Sequence, residues 1–212
     1  MRSVMGVTAY DDVDALSTIA AELHAASGAP EALPALFALT DPDRTPDVVG
    51  FARGLPEGAG LILRHFGQPA PRMASMDLAT VASERKLVYL IGADPDLAAV
   101  VGAKGVHWPE RMPDEAASYR RHQPERMMTI AAHGPEGLAK AKEAGADAVF
   151  LGPVFESASP SAREPLGVAQ FAELVASTDL PVYALGGVTA ETAKELTGTG
   201  ACGIAGIGVF AP

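Results

Sequence analysis

The run "VYALGGVTAETAKEL", residues 182–196, stops an apolar stretch at two bare glycines and then opens a series of good helix formers. A similar turn, Gly206-Ile207-Gly208, follows the last β-rich run. Where no side chain intervenes, backbone N–H groups can approach an anion closely, and a helix N-terminus adds favourable partial charge. Gly186, Gly187, Ile207 and Gly208 are therefore candidate phosphate ligands. Two tight strand-to-helix turns that bind nothing are the alternative. Arg64 ends another apolar run and could pair bidentately with a phosphate or carboxylate, or form an ordinary salt bridge. His133 ends "MMTIAAH" just before "GPEG". Imidazole suits proton transfer because its unperturbed pKa of about 6.5 lies near neutrality. The bland reading is a histidine that caps the following helix.

These residues need a scaffold that gathers strand ends. Short β-rich runs occur at 35–40, 60–65, 86–92, 105–108, 127–133, 147–152, 181–186 and 202–207. Helical patterns separate them at roughly 44–53, 72–84, 94–102, 113–121, 135–145, 167–177 and 189–198. In 135–145, Leu138, Ala139, Lys142 and Ala146 are expected on one face, with Gly145 at the end. Several strands are apolar on both faces, as in "VYLI" and "AVFL", which suits a parallel sheet covered by helices. Eight repeats favour a closed (β/α)8 TIM barrel, an α/β fold. In such a barrel the active face lies at the C-terminal strand ends, and a phosphate site often forms after strands 7 and 8. One domain over 1–212 is expected: a helical extension at 1–34 and a barrel at 35–210. Residues 11–27 read as an extra helix. "GVFAP" leaves little room for a final helix, so the final helix is expected to be truncated and its surface covered by the N-terminal one.

Composition narrows the class. Of 212 residues, 48% are hydrophobic and 20% charged, which predicts a folded core. A net charge of −10 disfavours nucleic acid and anionic membrane as partners. One cysteine, Cys202, excludes a disulfide framework within the chain. No run reaches the ~18–20 apolar residues of a membrane span. No signal-peptide pattern opens the chain, so a cytoplasmic location is expected.

The block "GADAVFLGPVF", the "LG" at 166–167 and "LPVYALGGVTAETAKELTGTGACGIAGIGVF" resemble the thiamine-phosphate synthase and TenI superfamily. "KGVHW" and "IAAH" match two further family blocks. The resemblance covers roughly 35–210. It implies a (β/α)8 barrel that binds a thiazole phosphate or thiamine phosphate, often as a homo-oligomer. Substrate-binding positions implied here are Arg64, Gly152, Ser157 and Ser159.

The synthases of this superfamily join a pyrimidine diphosphate to a thiazole phosphate with Mg²⁺. That chemistry needs carboxylates for the metal and cations for the diphosphate. The family's Gln-x-Arg-x-Lys falls on Ile62, Arg64 and Phe66, so only the arginine remains. The Asn-Asp pair falls on Gly92 and Ala93, and the next metal-binding Asp falls on Lys104. The serine after strand 5 falls on Ala131. The Thr-x-Thr-Lys loop falls on Ser157, Ser159 and Pro160. One missing transition-state donor costs about 3–4 kcal/mol, on the order of 10²–10³ in rate. Asp94 and Asp96 lie close to the empty metal positions and could serve only if the loop shifts.

The TenI branch resembles this pattern more closely. Its thiazole tautomerases lack the metal apparatus and move a proton on a thiazole carboxylate phosphate. The family histidine after strand 5 falls on His133. The expectation is thus a TenI-like barrel with a degenerate synthase site, no resident metal, and Mg²⁺ only if it is a true synthase. A divergent Mg²⁺-dependent synthase and a non-catalytic phosphate-binding protein are the alternatives. His107 is expected to bridge neighbouring strands. Trp108 either walls the pocket or packs elsewhere. The long loop 153–165 is a candidate lid.

Overall fold

The computed structural model describes residues 9–157 and 163–207. Eight parallel strands close into a barrel in chain order, with β8 pairing back onto β1. They are β1 (Leu36–Leu39), β2 (Gly60–Leu63), β3 (Val88–Gly92), β4 (Gly105–Trp108), β5 (Met127–Ala132), β6 (Ala148–Leu151), β7 (Val182–Leu185) and β8 (Gly203–Ile207). Closure is in register from Leu36 opposite Ile204 to Leu39 opposite Ile207. The helices are α1 (Ala9–Ser27), α2 (Val48–Gly54), α3 (Pro69–Met73), α4 (Ser75–Glu84), α5 (Pro95–Val101), α6 (Pro113–His122), α7 (Pro135–Glu143) and α8 (Gly167–Ala176).

Side chains alternate across each strand, so two cores form. Phe37, Leu39, Ile62, Leu90, Phe150, Tyr183 and Ala205 fill the barrel interior. The rings of Phe37, Phe150 and Tyr183 meet at 5.0–5.2 Å. Gly60 leaves the room for this: a Cβ there would stand 2.0 Å from Phe37 Cδ1. The opposite faces, such as Ala38, Leu61, Leu63 and Ile91, pack under the helices.

Helix α1 is the extra helix expected at 11–27. Leu16, Ala20 and Leu23 recur at i, i+4 and i+7, and all three are buried. The helix lies against β1, β8 and the short helix after β7. His24 Nδ1 hydrogen-bonds the Cys202 carbonyl at 3.1 Å. The expected truncation of the final helix falls on 208–212, outside the described residues.

Several boundaries differ from expectation. Strand β2 ends at Leu63, so Arg64 and His65 lie on the loop beyond it. The helix expected at 44–53 begins only at Val48, because Asp47 caps it by accepting from the Gly50 N–H at 2.8 Å. The 72–84 segment splits into α3 and α4 at Ala74. The helix expected at 189–198 is a five-residue 3₁₀ helix, Thr192–Leu196. Thr189 and Thr192 hold its start in a tight turn, each side-chain oxygen accepting the other's backbone N–H. In α7 the buried face is Gly137, Leu138 and Ala141, while Ala139 and Lys142 are exposed. Leu138 and Ala146 of the expected face are buried, and Ala141 is buried in place of Ala139 and Lys142.

Candidate functional site at the C-terminal ends of the strands

The first cluster gathers at the ends of β1, β2 and β3. Arg64 turns towards the loop after β1. Its Nε donates to the Thr40 carbonyl at 2.7 Å, and a terminal nitrogen donates to Asp41 Oδ2 at 3.0 Å. Its stem lies against Gly92, where a Cβ would stand 3.4 Å from Arg64 Cγ. Burial lowers the Arg64 pKa to about 10. Asp41 pulls it back upward and Arg44 adds to the lowering. Burial alone would raise the Asp41 carboxyl, but the hydrogen bond from Arg44 and the charge of Arg64 hold it below the usual range. Phe66 stands where the resemblance calls for a lysine. Its exposed ring lies 5.2 Å from the Arg64 guanidinium, at a left-handed φ of 46°.

Asp94 is already engaged. One carboxylate oxygen accepts the Leu97 N–H at 2.9 Å and caps α5. The other pairs with Arg72 and lies 3.2 Å from His65 Nε2. Asp96 is exposed in the first turn of α5. Gly92, Ala93 and Lys104 offer no carboxylate. Among the described residues no three His, Cys, Asp or Glu side chains could hold a metal ion together. The donor set at the expected Mg²⁺ positions does not fit a divalent metal, which wants several free oxygen ligands.

The second cluster joins β5, β6 and β7. His133 Nδ1 hydrogen-bonds the Gly152 carbonyl at 2.5 Å. A carbonyl carries no proton, so Nδ1 is the donor and Nε2 is left to exchange one. Nε2 lies 4.0 Å from Glu110 Oε2. Gly152 is hemmed by β7, since a Cβ there would meet the Leu185 carbonyl oxygen at 2.0 Å.

Gly186 and Gly187 have a steric reason to be glycine. Their φ values are 90° and 68°, a region that favours glycine. A Cβ on Gly186 would lie 2.6 Å from Pro153 Cβ, and one on Gly187 would lie 2.3 Å from the Glu156 carbonyl oxygen. The loop after β6 therefore seats directly on the pair. Val154 and Phe155 N–H groups donate to the Leu185 and Gly186 carbonyls. Ser157 follows on this loop and is half-buried. Ile207 ends β8 beside Leu39. Ser159 and Gly208 lie outside the described residues.

His107 bridges β4 and β5 inside the barrel, its Nδ1 2.9 Å from Thr129 Oγ1, and packs on Phe150. Burial and the Arg64 charge lower its pKa to about 3, so it is neutral at pH 7. Trp108 points the other way and does not wall the barrel mouth. It lines a groove of about 520 Å³ between α5 and α6 on the outer wall, with Tyr119 and Met112. Sequence reading missed Asp41, His65, Arg72 and Glu110. Asp41 and Glu110 follow closely on strand ends at the active face, which is the signal that could have found them.

These features meet the comparisons with known proteins. The family described as "Thiamine monophosphate synthase" matches residues 64–210. A thiamine-phosphate synthase of Chlorobium limicola is 29% identical over 176 residues, covering 81% of this chain and 83% of that one. One of Alcanivorax borkumensis is 29% identical over 177 residues, covering 80% and 82%. The solved thiamine phosphate pyrophosphorylase of Pyrococcus furiosus superposes with a TM-score of 0.70 at 26% identity, over 83% of this chain and 86% of that one. With a closed eight-stranded parallel barrel and a family match over well more than half its length, this chain belongs to the thiamine monophosphate synthase family.

Proposed function

We propose that this protein acts on a phosphorylated thiazole by proton transfer, as a TenI-like tautomerase without a divalent metal. The observation that carries this reading is His133. Its Nδ1 is committed to the Gly152 carbonyl, which leaves Nε2 as the nitrogen able to exchange a proton. A proton leaving a ring carbon passes to Nε2, and the imidazolium returns a proton at another ring position, so the net charge is unchanged. The phosphate is held at Gly186, Gly187, Ile207 and Gly208 after β7 and β8. Arg64, Gly152, Ser157 and Ser159 contact the rest of the substrate.

The engagement of Asp94 supports the metal-free reading, because using it for Mg²⁺ would mean releasing the α5 cap and the Arg72 pair. The names of the relatives favour a second reading, a thiamine-phosphate synthase; the sequence resemblance implies for it Mg²⁺-dependent coupling of a pyrimidine diphosphate to a thiazole phosphate.

Ligand-induced thermal stabilisation separates the two. A ligand at ~100 Kd adds about 2.7 kcal/mol to the folded state. Stabilisation by thiazole carboxylate phosphate in EDTA is expected. Stabilisation only by pyrimidine diphosphate with Mg²⁺ would favour the synthase. No shift with either would remove both.

A further inference from the structure

The turn after β4 places a carboxylate behind the candidate base. Glu110 follows Trp108-Pro109 and reaches the first turn of α7. Its Oε2 is sealed from solvent and has no hydrogen-bond partner among the described residues. A buried carboxylate oxygen without a donor is costly and calls for a reason. Its titratable neighbours are His133, with Nε2 at 4.0 Å, and Lys140, which is itself paired with Glu136.

The surroundings are shaped for this carboxylate. A Cβ on Gly137 would stand 3.0 Å from both Glu110 Cδ and Oε2, so a side chain at 137 would crowd the acid. Helix α7 starts at Pro135 with no side-chain cap, so its N-terminal end lies open to negative charge. Capping alone does not account for the geometry, because no α7 N–H donates to Oε2.

We propose that Glu110 is the positioning residue of the proton-transfer site, acting through His133. The inference rests on the proposed role of His133. Gly152 fixes the ring through Nδ1, and Glu110 faces Nε2, which carries no proton in the neutral ring, so the acid acts on the imidazolium rather than holding the resting ring. When Nε2 takes the substrate proton, the resulting imidazolium finds the carboxylate already in place. Glu110 acts on the imidazolium by charge and takes no proton from it. At 4.0 Å the pair is too long for a hydrogen bond in the unliganded protein, and such contacts tighten when substrate binds.

The test uses the full chain with thiazole carboxylate phosphate. Glu110→Gln, Glu110→Asp and His133→Ala are compared for kcat, KM and ligand-induced thermal shift. Glu110→Gln is expected to lower kcat about 10- to 100-fold with KM and thermal shift unchanged, less than the ~10²–10⁴ of losing a general base. Glu110→Asp is expected to restore part of the rate, because it restores the charge. A dead His133→Ala beside a fully active Glu110→Gln would overturn the role of Glu110 alone. An active His133→Ala would overturn both. If Glu110→Gln fails to fold, formate added to Glu110→Ala serves instead. Rescue of kcat is the expected result, and no rescue in a folded variant contradicts the proposal.

Discussion

The guanidinium of Arg64 and the carboxylate of Asp41 form an ion pair of 3.0 Å between the ends of β1 and β2. Both side chains are mostly buried there. Removing the acid leaves a buried cation without its partner, so Asp41→Asn is expected to cost about 1–3 kcal/mol at pH 7. The folded Asp41 carboxyl lies below its ordinary value. Its contribution is therefore complete above the unfolded pKa of about 3.9 and is lost as pH falls through the folded value. Urea midpoints of the two proteins should converge as pH falls below about 4. A constant gap down to pH 2 would assign the loss to packing instead.

His107 predicts a second pH dependence of a different origin. Burial first, and the Arg64 charge second, keep it neutral down to about pH 3. Between about pH 6.5 and that value the unfolded chain binds a proton that the folded chain refuses. Stability thus falls on acidification, by up to about 1.4 kcal/mol per pH unit. His107→Gln should show a shallower slope between pH 6.5 and 5 in urea titrations. An unchanged slope would mean that other groups set it.

Leu16 anchors α1 on the outer wall over β1 and β8. It is fully buried, so Leu16→Ala should cost about 2–5 kcal/mol. Calorimetry on the full chain checks this. A loss below ~1 kcal/mol would show that α1 is not needed to cover these strands.

Gly187→Ala tests the seat of the loop after β6. The added Cβ would approach the Glu156 carbonyl oxygen to 2.3 Å, at a φ that alanine rarely adopts. A stability loss of about 1–3 kcal/mol is expected, together with weaker stabilisation by inorganic phosphate. A stability loss with phosphate binding intact would leave the glycine a purely structural reason.

The barrel was legible because every strand is a short apolar run bounded by turn residues, and buried parallel strands need no polar face. The helix after β7 was not, because Thr189 and Thr192 hydrogen-bond each other's backbone and tighten the turn into a 3₁₀ helix. Propensity alone does not show that competition. In the site, His133 and the glycine pair stand out from their positions at strand ends. The pairs Arg64–Asp41 and His133–Glu110 do not, because each joins loops of neighbouring strands, and spacing along the chain says nothing about which side chains turn towards each other. The engagement of Asp94 was hidden for the same reason: its partners Arg72 and His65 come from the β2–α3 segment.

The most direct test of metal-free proton transfer is a side-by-side turnover measurement. One arm supplies thiazole carboxylate phosphate in EDTA and follows the ring tautomer by NMR. The other supplies pyrimidine diphosphate and thiazole phosphate with Mg²⁺ and follows thiamine phosphate. Turnover in the first arm, falling by about 10² or more in His133→Ala, is the predicted result. Turnover confined to the second arm would contradict it and return this chain to the synthases.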